Sequence, residues 1–336
     1  MKKISFLFAA ICSTIIMSTY THAQNVPQYV LDKTIEVGGI GGWDYLYIDQ
    51  PNNMLYVSHA NNVHVIDLNT EEVVGKIDSM QKVHGIAVAD NIGRGFISDG
   101  NANAVVVFDI HTYKKIETIK LSGKKPDAII YDPATDKVFA FNGGSNNFSV
   151  IDVNTLKEIS TVALGGAPAF AVADGKGKIY NNLEDKNCIK VIDSKSLAVI
   201  NTYPLASCEA PTGLAMDEQN KRLFSTCNES KQLNVVDMSS GKIVATLPIG
   251  AGVDAVVFDP ATRLIFCSCG DGTTTIIKQE SADKYKVVQT LVTPAKAKTL
   301  ALNPITHRIY LSVADFIPGT KVPVLGSFRV MAYKMK

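Results

Sequence analysis

A seven-residue phrase returns seven times along this 336-residue chain. It reads "WDYLYID" from Trp43, "VHGIAVA" from Val83, "PDAIIYD" from Pro126, "PAFAVAD" from Pro168, "PTGLAMD" from Pro211, "VDAVVFD" from Val253 and "AKTLALN" from Ala297. Successive copies start 40, 43, 42, 43, 42 and 44 residues apart. Most copies run through a turn such as "DPATDK" or "NPITHR" into an aromatic-led strand such as "LYVSH" or "IFCSC". Two alternating strands around a polar turn complete the unit, as in "NVVDMSSGKIVATLPI". One repeat is therefore four short antiparallel strands. Such a sheet cannot bury both faces by itself, so units of this length must pack on one another. Seven of them predict an all-β fold: a seven-bladed β-propeller in which each sheet is buried between its neighbours.

The two ends of the chain complement each other. After Ala297 only three strands follow, the last being "SFRVMAYK", whereas "YVLDKTIEV" ahead of the first repeat reads like an outer strand with no blade of its own. The N-terminal strand is expected to complete the last blade and close the ring, making residues 24–336 one domain. Residues 1–23 read as an export signal. Lys2 and Lys3 precede the apolar "ISFLFAAICSTIIM", and "THA" supplies a cleavage site after Ala23. The expected location is periplasmic or secreted, and no later run is long and apolar enough to span a bilayer. Without the two signal lysines, the 33 basic and 32 acidic residues of the chain leave a net charge of about −1. That balance gives no general attraction to nucleic acid or to an anionic membrane, and a monomer is expected.

The units "MLYVSHANNVHVIDLNTEEVVGKI" and "RLFSTCNESKQLNVVDMSSGKIVATLPIG" resemble the YVTN β-propeller repeats of YncE-like exported bacterial proteins. The consensus there runs tyrosine-valine-threonine/alanine-asparagine, then valine-isoleucine-aspartate, then a lysine-valine-valine outer strand. The resemblance covers about residues 29–336, with a degenerate last blade and "YVSH" (Tyr56 to His59) as the closest approach to the tetrapeptide. It implies the fold and export. Function is implied only broadly, since folds of this kind carry many unrelated activities.

Propeller geometry turns repeat positions into places. The first strand of each blade lines the central channel and starts at its upper mouth. The second aligned position therefore forms a ring of Asp44, His84, Asp127, Ala169, Thr212, Asp254 and Lys298, flanked by Trp43, Tyr45 and Phe170. The ends of the second strands add His59, Asp99, Asn142 and Glu184, and the Gly/Pro-rich "ADFIPGTKVPVLGS" is expected to fold over the opening as a lid. The ligand-binding set is thus Trp43, Asp44, Tyr45, His59, His84, Asp127, Phe170, Thr212, Asp254 and Lys298. Within it, Asp44, His84, Asp127 and Asp254 form a candidate divalent-cation site, their oxygen and imidazole donors suiting Ca²⁺, Mg²⁺, Mn²⁺ or Zn²⁺.

The aspartates ending the third strands (Asp67, Asp109, Asp152, Asp193, Asp237) precede turn residues and are expected to cap those turns. Five cysteines follow the signal. Cys267 and Cys269 lie two apart on one strand and share a face, a poor geometry for bonding each other. Cys208, in the loop before Pro211, faces the end of the strand that Cys227 closes, so a Cys208–Cys227 disulfide is expected, with Cys188–Cys208 as the alternative. No nucleophile elbow, Walker loop or dinucleotide fingerprint stands in a strand–helix context, so no catalytic residue is assigned.

The leading expectation is an exported binding or scaffold propeller whose upper mouth takes a small ligand or a periplasmic protein partner, without catalysis of its own. The alternatives are a metal-dependent, lactonase-like hydrolase or lyase, and single-stranded DNA binding, which the family resemblance brings with it. Trp43, Tyr45 and Phe170 offer stacking surfaces for the latter, while the mouth aspartates and the near-neutral charge argue against it.

Overall fold

The computed structural model describes residues 28–336. The expected signal and its cleavage after Ala23 lie outside the described residues. Seven four-stranded antiparallel sheets form a seven-bladed propeller. Blade one comprises Trp43–Asp49, Met54–His59, Asn62–Asp67 and Glu72–Ile77, from channel to rim. Blades two to six repeat this order from Val83, Pro126, Pro168, Pro211 and Val253.

The last blade is built from both ends of the chain. Its inner strands are Leu300–Leu302, Ile309–Val313 and Arg329–Met335, and its outer strand is Tyr29–Glu36, paired from Tyr29 against Met335 to Glu36 against Arg329. Tyr29 and Ile35 are buried. The Tyr29 ring packs edge-on against Phe266 of blade six at 4.9 Å, and its hydroxyl donates to the His307 carbonyl at 2.7 Å. Asp32 pairs with Arg308 and Lys334, and Arg308 also reaches Glu71 of blade one.

Aromatic and branched side chains fill the spaces between blades, with Tyr56, Phe96, Phe139, Phe224 and Tyr310 essentially inaccessible. Cys267 and Cys269 belong to this packing between blades five and six, alongside Phe224, Leu233 and Val253. The third-strand aspartates cap their turns as expected. Asp109 accepts from the backbone of His111 and Thr112, Asp152 from Asn154 and Thr155, and Asp193 and Asp237 do the same. Asp67 accepts from Asn69.

Cys208 and Cys227 form a disulfide across a sequence separation of 19, and Cys188 is a buried free thiol. Closing a loop of that length removes chain entropy worth about 3 kcal/mol from the unfolded state. Urea unfolding of a Cys208→Ser/Cys227→Ser variant is expected to show a loss of that size with an unshifted far-UV spectrum.

Six of the seven blades carry an irregularity that matters for the mouth. The pairing of first and second strands slips between Trp43 and Leu46, Val83 and Ile86, Pro126 and Ile129, Pro168 and Ala171, Pro211 and Leu214, and Val253 and Ala255. The second aligned residue falls inside the slipped stretch in each of these six blades. A bulge of this kind releases a residue from the ladder and re-aims its side chain.

Candidate functional site

Side chains of one blade hold the mouth residues of the next, from the second strand in three cases and from just ahead of the first strand at Thr299. Ser98 Oγ donates to the Asp127 carbonyl at 2.5 Å, Ser268 Oγ to that of Lys298 at 2.5 Å, and Thr299 Oγ1 to that of Asp44 at 2.6 Å. Asn182 Nδ2 donates to the carbonyls of Thr212 and Gly213, both at 3.0 Å. Close approach of neighbouring first strands requires glycine at two third positions. A Cβ on Gly85 would lie 2.8 Å from the Asp127 carbonyl oxygen, and one on Gly213 would lie 2.9 Å from that of Asp254.

Three of the predicted residues meet. His84 Nδ1 lies 2.6 Å from Asp44 Oδ2 and 3.7 Å from Asp127 Oδ1. One donor atom from each of the three falls within 4.8 Å of the other two, so a single cation fits among them. Burial disfavours charge on His84, but the hydrogen bond to Asp44 and the charges of Asp127 and Asp44 outweigh it and raise its pKa. Asp127 is recessed among the channel walls even though its carboxylate keeps contact with water. Desolvation and the neighbouring Asp44 push it up to about 6, against the pull of His84.

Asp254 does not join this trio. Its carboxylate is paired with Lys298, which takes it out of the predicted metal set. Burial raises the Asp254 pKa despite that partner, and the Asp254 charge raises Lys298 despite burial.

The aromatic residues are spent on one another. Tyr45 of blade one and Phe170 of blade four reach across the channel and stack at 4.5 Å. In the other blades the third aligned residue is glycine, alanine or threonine, so only these two can fill the throat. Burial first, then the charges of Asp127, Asp44 and Asp254, hold the Tyr45 hydroxyl well above its ordinary pKa. Below the stack lies an apolar cavity of about 810 Å³, bounded by residues such as Ile48, Val172 and Leu302. Trp43 packs 5.8 Å from both Phe316 and Phe328. None of the three is the free base-stacking surface that the sequence suggested.

Two further expectations are corrected. His59 is 2% exposed, stacked on Phe328 at 3.9 Å with its Nδ1 3.5 Å from His64 Nε2, and so is not presented to the mouth. Thr212 is turned inward, its hydroxyl 3.2 Å from both the Val253 carbonyl and Thr226 Oγ1. Asp99 and Asn142 are likewise buried, Asp99 accepting from the backbone of Gln81 and Lys82.

Glu184 is expected on this face from the sequence, but the acidic patch it belongs to is not. Glu184, Asp185, Glu209 and Glu229 line a cleft of about 470 Å³ between the top loops of blades four and five. Burial first, then the charges of Asp254, Glu229 and Asp185, raises the Glu184 pKa. The segment expected to act as a lid folds as a short hairpin with a Phe316–Pro323 bridge, beside the mouth and against Trp43 and Lys296.

No family model matches the chain, and no curated protein matches it. The fold is similar to that of the solved WD40 repeats of RRP9, with a TM-score of 0.79 and 8% identity over 92% of this chain and 100% of that one. It is also similar to the structure of U3-55K, with a TM-score of 0.76 and 8% identity over 89% of this chain and 97% of that one. At such identity the likeness shows the seven-bladed fold alone.

Proposed function

We propose that this chain is an exported propeller of the YVTN type that captures a cation, or a ligand through its cationic group, at the upper mouth, without catalysis of its own. The observation that carries the reading is the convergence of Asp44, His84 and Asp127 on one point. Three blades contribute these residues, and ring closure holds them together. Burial first, and then the Asp44 charge in a trio of two carboxylates and one imidazole, pushes Asp127 up to about 6. A cation placed there offsets the repulsion and keeps Asp127 ionised. The acidic cleft at Glu184, Glu209 and Glu229 adds negative field on the same face.

A divalent ion entering the trio must displace the proton between His84 and Asp44, so binding should release protons near neutral pH. Calorimetric titration of residues 24–336 with Mn²⁺, Zn²⁺, Ca²⁺ and spermidine tests this. At least one is expected to bind saturably, and Asp127→Asn to weaken it roughly tenfold or more, the scale of one charge-assisted contact. The variant itself should be as stable as the parent, because a repelled carboxylate is removed and no ion pair shorter than 3.7 Å is lost. Binding that ignores Asp127→Asn, or no binding by any of the four, removes the reading. A metal-assisted hydrolase or lyase is the second reading, favoured by the same three donor atoms, and lactone hydrolysis by the Mn²⁺-loaded protein separates the two.

A further inference from the structure

A second cavity, of about 640 Å³, opens on the upper face between the hairpin and blades one and six. Its walls carry two aromatic rings, Trp43 and Phe316, and three ammonium groups, Lys296, Lys298 and Lys321. Asp271 is its one carboxylate. That carboxylate is already engaged, accepting from the backbone of Ala251 and Thr273 and from the Thr273 hydroxyl. Lys298 is neutralised by Asp254. Lys296 and Lys321 have no carboxylate partner among the described residues. Instead the Lys296 ammonium stands 3.4 Å over the face of Phe316. A π-face holds a cation only weakly when water competes, so the charge remains available to an anion. Lys296 also adopts a left-handed backbone, φ +70°, which costs energy for a side chain with no local hydrogen bond to offset it.

We propose that this cavity binds a small organic anion with a flat, apolar body: the body lies along the wall that Trp43 and Phe316, packed on each other at 5.8 Å, form together, and its carboxylate or phosphate takes Lys296 and Lys321. The site is independent of the cation reading, since it shares with the Asp254–Lys298 pair only a lysine that is already neutralised. The two aromatic walls come from opposite ends of the chain, and the two free lysines come from blade seven's entry loop and the hairpin. The pocket therefore exists only in the closed ring with the hairpin in place.

Trp43 is the only tryptophan in the sequence, so its emission reports on this cavity directly. Titration with phenyl phosphate, phthalate and benzylamine, each up to about 10 mM, distinguishes the chemistries. A saturable change in Trp43 emission is expected with at least one of the two anions, the tighter one identifying phosphate or carboxylate as the recognised group, and none with benzylamine. Lys296→Gln/Lys321→Gln, both at exposed positions, should weaken the anion roughly tenfold or more, the loss of charge-assisted contacts. Phe316→Leu should weaken it while both lysines remain. Asp127→Asn should leave it unchanged, which keeps failure here distinct from failure of the cation reading. Equal binding of benzylamine, no saturable change with either anion, or full affinity in the double lysine variant overturns the proposal.

Discussion

A chain that starts at Gly38 is expected to lose the cooperative unfolding transition of the full propeller and to aggregate. The deletion removes Tyr29–Glu36, the outer strand of the last blade, and leaves Arg329–Met335 as an unpaired edge. Burial of Tyr29 and Ile35 stabilises the fold by roughly 1.5–3 kcal/mol each. With them go the Tyr29–Phe266 contact and the Asp32 ion pairs to Arg308 and Lys334. Losses of that size approach the whole stability of an ordinary domain, about 5–15 kcal/mol. The free edge also exposes a pairing template to other chains. Differential scanning calorimetry checks the expectation, and a truncated protein melting as late and as sharply as the parent would show that closure lies elsewhere.

Acid should weaken the protein through the His59–His64 pair on blade one, His59 buried and His64 half-buried. His59 and His64 face each other at 3.5 Å beneath Phe328, and His59 Nε2 has no hydrogen-bond partner among the described residues. Burial, then the charges of His59 and Lys76, lowers the His64 pKa to about 4, and burial lowers His59 as well. Both rings are therefore held neutral in the fold while the unfolded chain takes up protons near pH 6.5. A folded pKa below the unfolded one means that stability is complete above about pH 6.5 and is lost as pH falls toward about 4. His64 and His59 act in the same direction, and because His64 is only half-buried, solvent screening reduces its share to about 1–2 kcal/mol. His84, whose pKa is raised, acts above this window: its contribution is complete below about pH 6.5 and is lost as pH rises through its folded pKa. Urea midpoints measured across this window should fall steeply for the parent and about half as far for His64→Leu; an equal fall in both would mean that the carboxylates, not this pair, govern acid stability.

The period of about 42 residues carried the blade count, the strand order and the closing strand, because each is a matter of register and complementarity along the chain. It also carried Asp44, His84 and Asp127, since one aligned position in consecutive blades must sit at one height in the channel. What it did not carry is direction. His59 has the right height, but Phe328, at the entry to the third strand of the last blade, covers it. Thr212 has the right height too, but its hydroxyl finds the Val253 carbonyl of the next blade. Asp254 is legible as a carboxylate at the mouth, yet its pairing depends on Lys298 reaching back from blade seven. The hairpin of Phe316 and Lys321 interrupts the repeat, so nothing in the period locates the cavity that it walls.

A cation entering the upper mouth should land on Asp44, His84 and Asp127. Nitrogen-detected NMR of ¹⁵N-histidine-labelled residues 24–336, titrated with Zn²⁺ and separately with spermidine, tests it most directly. The His84 ring nitrogens are expected to shift first and saturably, with proton release for Zn²⁺, while His59, His64, His111 and His307 hold their positions. A saturable shift confined to any of those four, with His84 unmoved, would contradict this placement.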